Sequence, residues 1–220
     1  MMRTPVAPGS PEAESYRSLR ATLGYSRLPE GRRVVLLTSA RPGEGKTTTA
    51  VNLAAVCAYA ERRTLLIDGD LRKPQLAQLL GSSNRSGLAE LLAGGGAVAL
   101  EQAVVPTIVP GLDLLPAGRP PVDAPELVAR GRIGDVVEAA RGAYAWIVID
   151  APPVLSVADT LVLSRFVDGV VLVVDVRGTS IETARRAREL LRAVGAPLVG
   201  VVANRSRTKV TPSGYGRYSS

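Results

Sequence analysis

The apolar run Val34-Val35-Leu36-Leu37 passes into Ser39-Ala40-Arg41-Pro42-Gly43-Glu44-Gly45-Lys46-Thr47-Thr48-Thr49. A strand that turns through a glycine loop into a helix is how a protein holds a nucleotide triphosphate. Gly43 and Gly45 let backbone N–H groups converge on phosphate oxygens, with Glu44 and Thr48 completing the cradle. Lys46 is placed to neutralise the β and γ phosphates, and Thr47 to offer its hydroxyl to Mg²⁺. The helix opening near Lys46 adds the positive end of its dipole. Where such loops usually begin with glycine, this one has Ala40. Steric turns after strands are also glycine-rich, but Gly-Lys-Thr behind a buried strand favours phosphate. ATP or GTP, with Mg²⁺, is therefore the expected ligand.

With 220 residues, 46% of them hydrophobic, the chain can bury one sizeable core. It has no histidine and only Cys57, which removes Cys/His zinc sites, Ser-His-Asp triads, phosphohistidine chemistry and disulfides from consideration. Acid and base work falls to carboxylates, Cys57 is expected in the core, and a cytoplasmic setting is expected. No apolar run reaches the roughly 20 residues that span a bilayer. The net charge of +7 is spread along the chain and aromatics are only 4%, so no stacking platform for nucleic acid is expected.

Residues 1–12, rich in proline, read as a disordered leader, with order starting near Glu12 in a short helix to about Gly24. Strands are expected at 34–38, 64–68, 112–115, 146–150, 169–175 and 198–203, most of them apolar on both faces. Helical stretches near 46–60, 123–141 and 180–194 lie between them. This pattern predicts an α/β fold of the P-loop NTPase type, a mostly parallel sheet with helices on both faces, over residues 13–205. Thr179-Ser180-Ile181-Glu182 suits a capping box on the last long helix. Residues 206–220 read as a flexible tail containing Tyr215 and Tyr218, while Tyr16, Tyr25, Tyr59 and Tyr144 are expected to pack.

Two strands end in carboxylates, Leu66-Ile67-Asp68-Gly69-Asp70 and Val148-Ile149-Asp150, at the sheet edge where open α/β sheets bind ligands. An aspartate after a strand is commonly only a turn former. Three beside a phosphate loop suit metal and water positioning better. Asp68 is the candidate that orients an attacking hydroxyl, and Asp70 and Asp150 would hold Mg²⁺ together with Thr47. Lys46, Asp68, Asp70 and Asp150 form the catalytic set. Arg72 and Lys73 suit either transferred charge or mere contact with solvent or a neighbouring subunit, and Asn204 stands where related P-loop proteins contact the nucleotide base, a place where a turn residue is also common.

These segments, together with Glu14-Ser15-Tyr16-Arg17-Ser18-Leu19-Arg20, Asp68-Gly69-Asp70-Leu71-Arg72-Lys73-Pro74, Gly87 to Gly94, Leu112 to Pro121 and Pro125-Glu126-Leu127, resemble the cytoplasmic kinase domain of bacterial tyrosine kinases that control capsular and exopolysaccharide synthesis. The resemblance spans residues 14 to about 204. It implies an ATP- and Mg²⁺-dependent kinase that phosphorylates tyrosines of its own tail, here Tyr215 and Tyr218. It also implies a ring oligomer in which Glu14, Arg17 and Arg20 bind the adjacent subunit, and those residues share a helix face. The further partners implied are a membrane-spanning activator, which would hold the kinase at the inner face of the cell membrane, and a cognate tyrosine phosphatase. The chain looks like a separate kinase or a domain cut from a membrane-fused one. Two rivals share the fold: a partitioning or division-site ATPase switch, against which Arg41-Pro42-Gly43 counts, and a non-catalytic nucleotide-binding scaffold.

Overall fold

Seven strands form one sheet: β1 (Arg33–Ser39), β2 (Thr64–Asp68), β3 (Val105–Pro106), β4 (Leu112–Leu115), β5 (Trp146–Asp150), β6 (Gly169–Asp175) and β7 (Leu198–Asn204). The computed structural model describes residues 5–26, 28, 33–60, 63–84, 86–94, 99–129 and 132–206. The strand order is β3-β4-β2-β5-β1-β6-β7, parallel throughout except for β3, which runs antiparallel to β4 at one edge. The helices are α1 (Pro11–Gly24), α2 (Lys46–Tyr59), α3 (Leu76–Leu79), α4 (Leu88–Ala93), α5 (Leu100–Ala103), α6 (Ala124–Ala129), α7 (Ile133–Arg141), α8 (Asp159–Leu163) and α9 (Ile181–Ala193).

Successive strand side chains point to opposite faces, and the core divides accordingly. Val34, Leu36, Leu65, Ile67, Ile147 and Ile149 pack against α4, α6, α7 and α9. Val35, Leu37, Leu66, Trp146 and Val148 pack against α1, α2 and α3. Strands buried on both faces are what continuous apolar runs require, and the expected α/β sandwich is present. α2 is buried over most of its length because alanines at 50, 54, 55 and 58 let it lie close to the sheet. Cys57 sits in that interface, where burial pushes its thiol up to about 12 and leaves it unreactive at neutral pH.

The strand order places the site. The chain leaves β1, crosses by α2 to β2 and returns later to fill the gap with β5, so β5 lies between β1 and β2. Asp150 is in register with Leu37 on one side and Asp68 on the other. Three strand ends therefore meet at one edge.

Several expectations are corrected. The leader is in place from Pro5, because the Val6 N–H donates to Asn52 Oδ1 at 2.9 Å and Ser10 caps α1, which starts at Pro11. The stretch 123–141 is two helices, and the 130–131 junction lies outside the described residues. The cap of α9 is Ser180, whose Oγ accepts the Thr183 N–H, rather than Thr179 paired with Glu182. Tyr25 does not pack: it is 93% exposed at the end of α1, while Tyr144 is buried and Tyr16 and Tyr59 lean on the core. Tyr215, Tyr218 and all of the expected tail except Ser206 lie outside the described residues.

Candidate active site

The phosphate loop leaves β1 at Ser39, with Gly43 at φ +82° and Gly45 at φ +95°. Both values lie in the left-handed region that glycine alone enters cheaply. Glu44 turns its carboxylate back into the loop: Oε2 accepts N–H groups from Ala40 (2.7 Å) and Arg41 (3.1 Å), and Oε1 accepts the Thr179 hydroxyl. Any role for Glu44 toward phosphate thus falls to its backbone.

Lys46 projects from the first turn of α2, with Nζ 3.3 Å from Asp70 Oδ2, Asp150 Oδ1 and Thr47 Oγ1. Burial works to lower its pKa, but the Asp150 and Asp70 carboxylates outweigh burial and leave it above the ordinary lysine value. Thr47 Oγ1 donates to Asp150 Oδ2 at 2.7 Å. Asp150 is raised above the usual carboxylate range by burial, with Lys46 and Thr47 opposing. The lysine is an ammonium throughout the neutral range, and the cluster is closed by its charge.

Asp68 is 1% exposed. Its Oδ2 accepts N–H groups from Gln75 (3.1 Å) and Leu76 (3.0 Å), and Oδ1 accepts that of Asp70 (3.3 Å). It therefore shapes the loop between β2 and α3 as well as facing the site. Burial pushes its carboxyl up to about 7, with the nearby Asp150 adding to the rise. Asp70 Oδ1 accepts the Lys73 N–H at 3.1 Å, which leaves Oδ2 toward Lys46. At Gly69 an added Cβ would lie 3.0 Å from the Asp150 carbonyl, and the Gly69 N–H donates to that oxygen at 2.8 Å, so the two acidic loops are sewn together.

Sequence reasoning missed the supports beneath these loops. Arg72 is held in a two-pronged pair by the buried Asp159, at 2.9 and 3.1 Å. This ties its guanidinium to α8 while the side chain stays exposed. Thr38 and Thr160 both donate to the Pro152 carbonyl, at 2.7 and 2.6 Å, fixing the strand exit that carries Asp150. Asn204, expected at the base or in a turn, donates from Nδ2 to the Glu44 carbonyl at 2.8 Å and accepts the Arg205 N–H at 2.9 Å. On α1, Glu14 and Arg17 pair with each other at 2.7 Å, and Arg17 also donates to the Pro8 carbonyl. The Arg20 Nε is buried without a hydrogen-bond partner among the described groups.

Thr47, Asp70 and Asp150 present hydroxyl and carboxylate oxygens next to a loop of backbone donors, and hard oxygen donors of this kind fit Mg²⁺. Among the described residues no three His, Cys, Asp or Glu form a preformed cage.

The raised Asp68 carboxyl has a measurable consequence. Unfolded aspartate releases its proton near pH 3.9, whereas the folded group holds it to about 7. Between those values the folded state binds more protons, so stability present below about pH 4 is lost as pH rises through 7. In nucleotide-free protein, wild type should lose roughly 2–4 kcal/mol relative to Asp68→Asn between pH 4 and 8. Denaturant titrations at several pH values measure it, and a pH-independent difference would place the Asp68 pKa near that of ordinary aspartate.

The family model described as a NUBPL iron-transfer P-loop NTPase, of the ParA type, matches residues 30–216. The tyrosine-protein kinase YwqD of Bacillus subtilis is 36% identical over 96% of this chain and 88% of its own length. EpsB of Ralstonia solanacearum is 36% identical over 95% of this chain, which spans only 28% of that protein. The crystal structure of the chimerical protein CapA2B2 superposes with a TM-score of 0.84 at 32% identity, covering 91% of this chain and 88% of that one. Iron transfer of the kind named by the family model calls on several thiolates, and this chain has one buried cysteine.

Proposed function

The chain belongs to the bacterial tyrosine-protein kinases of the P-loop NTPase superfamily, and we propose that it is an ATP- and Mg²⁺-dependent protein-tyrosine autokinase that regulates capsular or exopolysaccharide synthesis. The observation that carries this reading is the convergence of Lys46, Thr47, Asp68, Asp70 and Asp150 on one sheet edge. In such a site the loop N–H groups and Lys46 bind and orient the phosphates. Thr47, Asp70 and Asp150 would hold Mg²⁺, which when bound spreads the charge of the terminal phosphates. Lys46, freed from its carboxylates by the incoming phosphate, stabilises charge on the transferred group.

Asp68 lies beside this cluster with a carboxyl poised near neutrality. It would orient the attacking tyrosine hydroxyl and hold the proton released as the phosphate ester forms. Phosphoryl transfer depends on positioning and charge more than on a strong base, so a carboxylate suffices. Tyr215 and Tyr218 are the proposed acceptors. Glu14, Arg17 and Arg20 are proposed to join subunits into a ring by exchanging the pairing of Glu14 and Arg17 within one chain for pairing across the interface. Among the described residues no helix is long and apolar enough to cross a membrane. A membrane-spanning activator would hold the kinase at the inner face of the membrane, and a phosphatase would reset it.

The test is incubation with ATP and Mg²⁺ followed by mass spectrometry of the peptide holding Tyr215 and Tyr218. Phosphate should be found there, and changing both tyrosines to phenylalanine should remove at least nine-tenths of total phosphotyrosine, on the order of a tenfold loss. Unchanged labelling in the double variant would move the acceptors elsewhere. No transfer to any tyrosine would remove the kinase reading.

A further inference from the structure

Two consecutive carbonyls of the phosphate loop are tied to the end of β7. The Gly43 carbonyl accepts from Arg205 Nη2 at 2.9 Å, and the Glu44 carbonyl accepts from Asn204 Nδ2 at 2.8 Å. A peptide unit is planar and trans, so its N–H points opposite to its C=O. Pinning the carbonyls of Gly43 and Glu44 toward β7 therefore turns the N–H groups of Glu44 and Gly45 the other way, and successive N–H groups aimed into one concavity are what bind phosphate.

The tie is itself supported. Arg205 Nη1 is ion-paired with Asp175 Oδ2 at the end of β6, so the guanidinium is aimed before it meets the loop. Arg205 is the one non-glycine residue with positive φ among those described, at +59°. Such a backbone is uncommon outside glycine, and here it carries the side chain back from the strand exit to the loop. An added Cβ on Gly45 would lie 2.1 Å from Asn204 Nδ2, so glycine at 45 is what lets the amide approach.

We propose that Asn204 and Arg205 are positioning residues for nucleotide binding: a brace that fixes the loop's N–H cradle, with Asp175 holding its arginine. This rests on the reading of the loop as a nucleotide site, and it gives Asn204 a task separate from contact with a base. The brace acts on phosphates, so its loss weakens every nucleoside triphosphate alike, whereas loss of a base contact changes the preference for ATP over GTP.

The experiment measures binding of ATP and GTP, each with Mg²⁺, to wild type and to the Arg205→Ala, Arg205→Lys, Asp175→Asn and Asn204→Ala proteins, with thermal melting of each nucleotide-free protein. Arg205→Ala and Asn204→Ala should each weaken both nucleotides by about 5- to 20-fold, with the ATP/GTP ratio held within twofold and melting within a few degrees of wild type. Arg205→Lys should recover part of the loss, because an ammonium reaches one acceptor where the guanidinium fork reaches two. Asp175→Asn should reproduce a smaller loss without touching the loop. Autophosphorylation by Arg205→Ala should show a raised KM for ATP with kcat nearly unchanged. Wild-type affinity in Arg205→Ala would overturn the brace, as would an Asn204→Ala defect confined to ATP. Wild type that binds neither nucleotide would overturn the site reading and the brace with it.

Discussion

Lys46→Met should abolish phosphoryl transfer, with the rate of self-labelling from ATP falling at least about 10³-fold, the scale on which a preorganised charge at a reacting centre acts. The lysine Nζ sits 3.3 Å from Asp70 Oδ2 and from Asp150 Oδ1, in a cluster that Thr47 and Asp150 close on one side. Methionine fills nearly the same volume and brings no charge, so the γ-phosphate meets carboxylates without their counter-ion. The same change alters the titration of the site in nucleotide-free protein. Lys46 opposes the burial that raises both Asp150 and Asp68. Without it both carboxyls rise further, and stability lost on going from acid to neutral pH grows. The variant should therefore fold well near pH 6 and lose more stability by pH 8 than wild type does. Radiolabelling of purified protein reads the first effect and denaturant titration the second. Self-labelling within tenfold of wild type would remove Lys46 from the transfer step.

Much of this arrangement was legible in the chain because it depends on local chemistry. A glycine loop behind an apolar strand, and aspartates at the ends of apolar runs, need only their own backbone to be recognised, and the sheet brings Asp68 and Asp150 into register as strand ends must. What escaped depends on distant partners. Asp159, Thr160 and Thr38 are unremarkable in sequence and become supports only when β5 slots between β1 and β2. The two-residue β3 is too short for any periodicity, and it pairs because the turn after it returns the chain as β4. Residues 1–12 read as a disordered leader because of their prolines, yet from Pro5 onward the tether of Val6 to Asn52 and the Ser10 cap on α1 hold the described part in place. Tyr25 illustrates the reverse error, in which an aromatic beside a helix end is assigned to the core by type although no described residue covers it.

Gly87→Val should lower stability by about 3 kcal/mol or more, corresponding to a melting drop of roughly 6–12 °C in a domain of this size. The backbone at Gly87 is extended, a conformation open to any residue, so the penalty is one of space. An added Cβ would stand 2.1 Å from the Pro116 carbonyl oxygen and 2.5 Å from the Gly118 N–H nitrogen, both backbone atoms that cannot swing aside. The contact is close because α4 is docked through its first turn: Leu88 and Ala89 donate N–H groups to the carbonyls of Pro116 and Ala117, each at 2.8 Å. Glu90 completes the clasp by accepting the N–H groups of Gly87 (2.8 Å) and Arg119 (3.1 Å), and Asn84 holds Gly118 from the other side through both amide atoms. Forcing Gly87 outward would open all of these at the exit of β4, two strands from Asp150 at the same edge of the sheet. Gly200→Ala is the matched control, since a Cβ there meets nothing within 4 Å and its melting point should stay within about 2 °C of wild type. A Gly87→Val protein that melts with that control would show the α4 dock to be loose enough to give way, and the resemblance of Gly87-Leu88 to the kinase pattern would then need a cause other than packing.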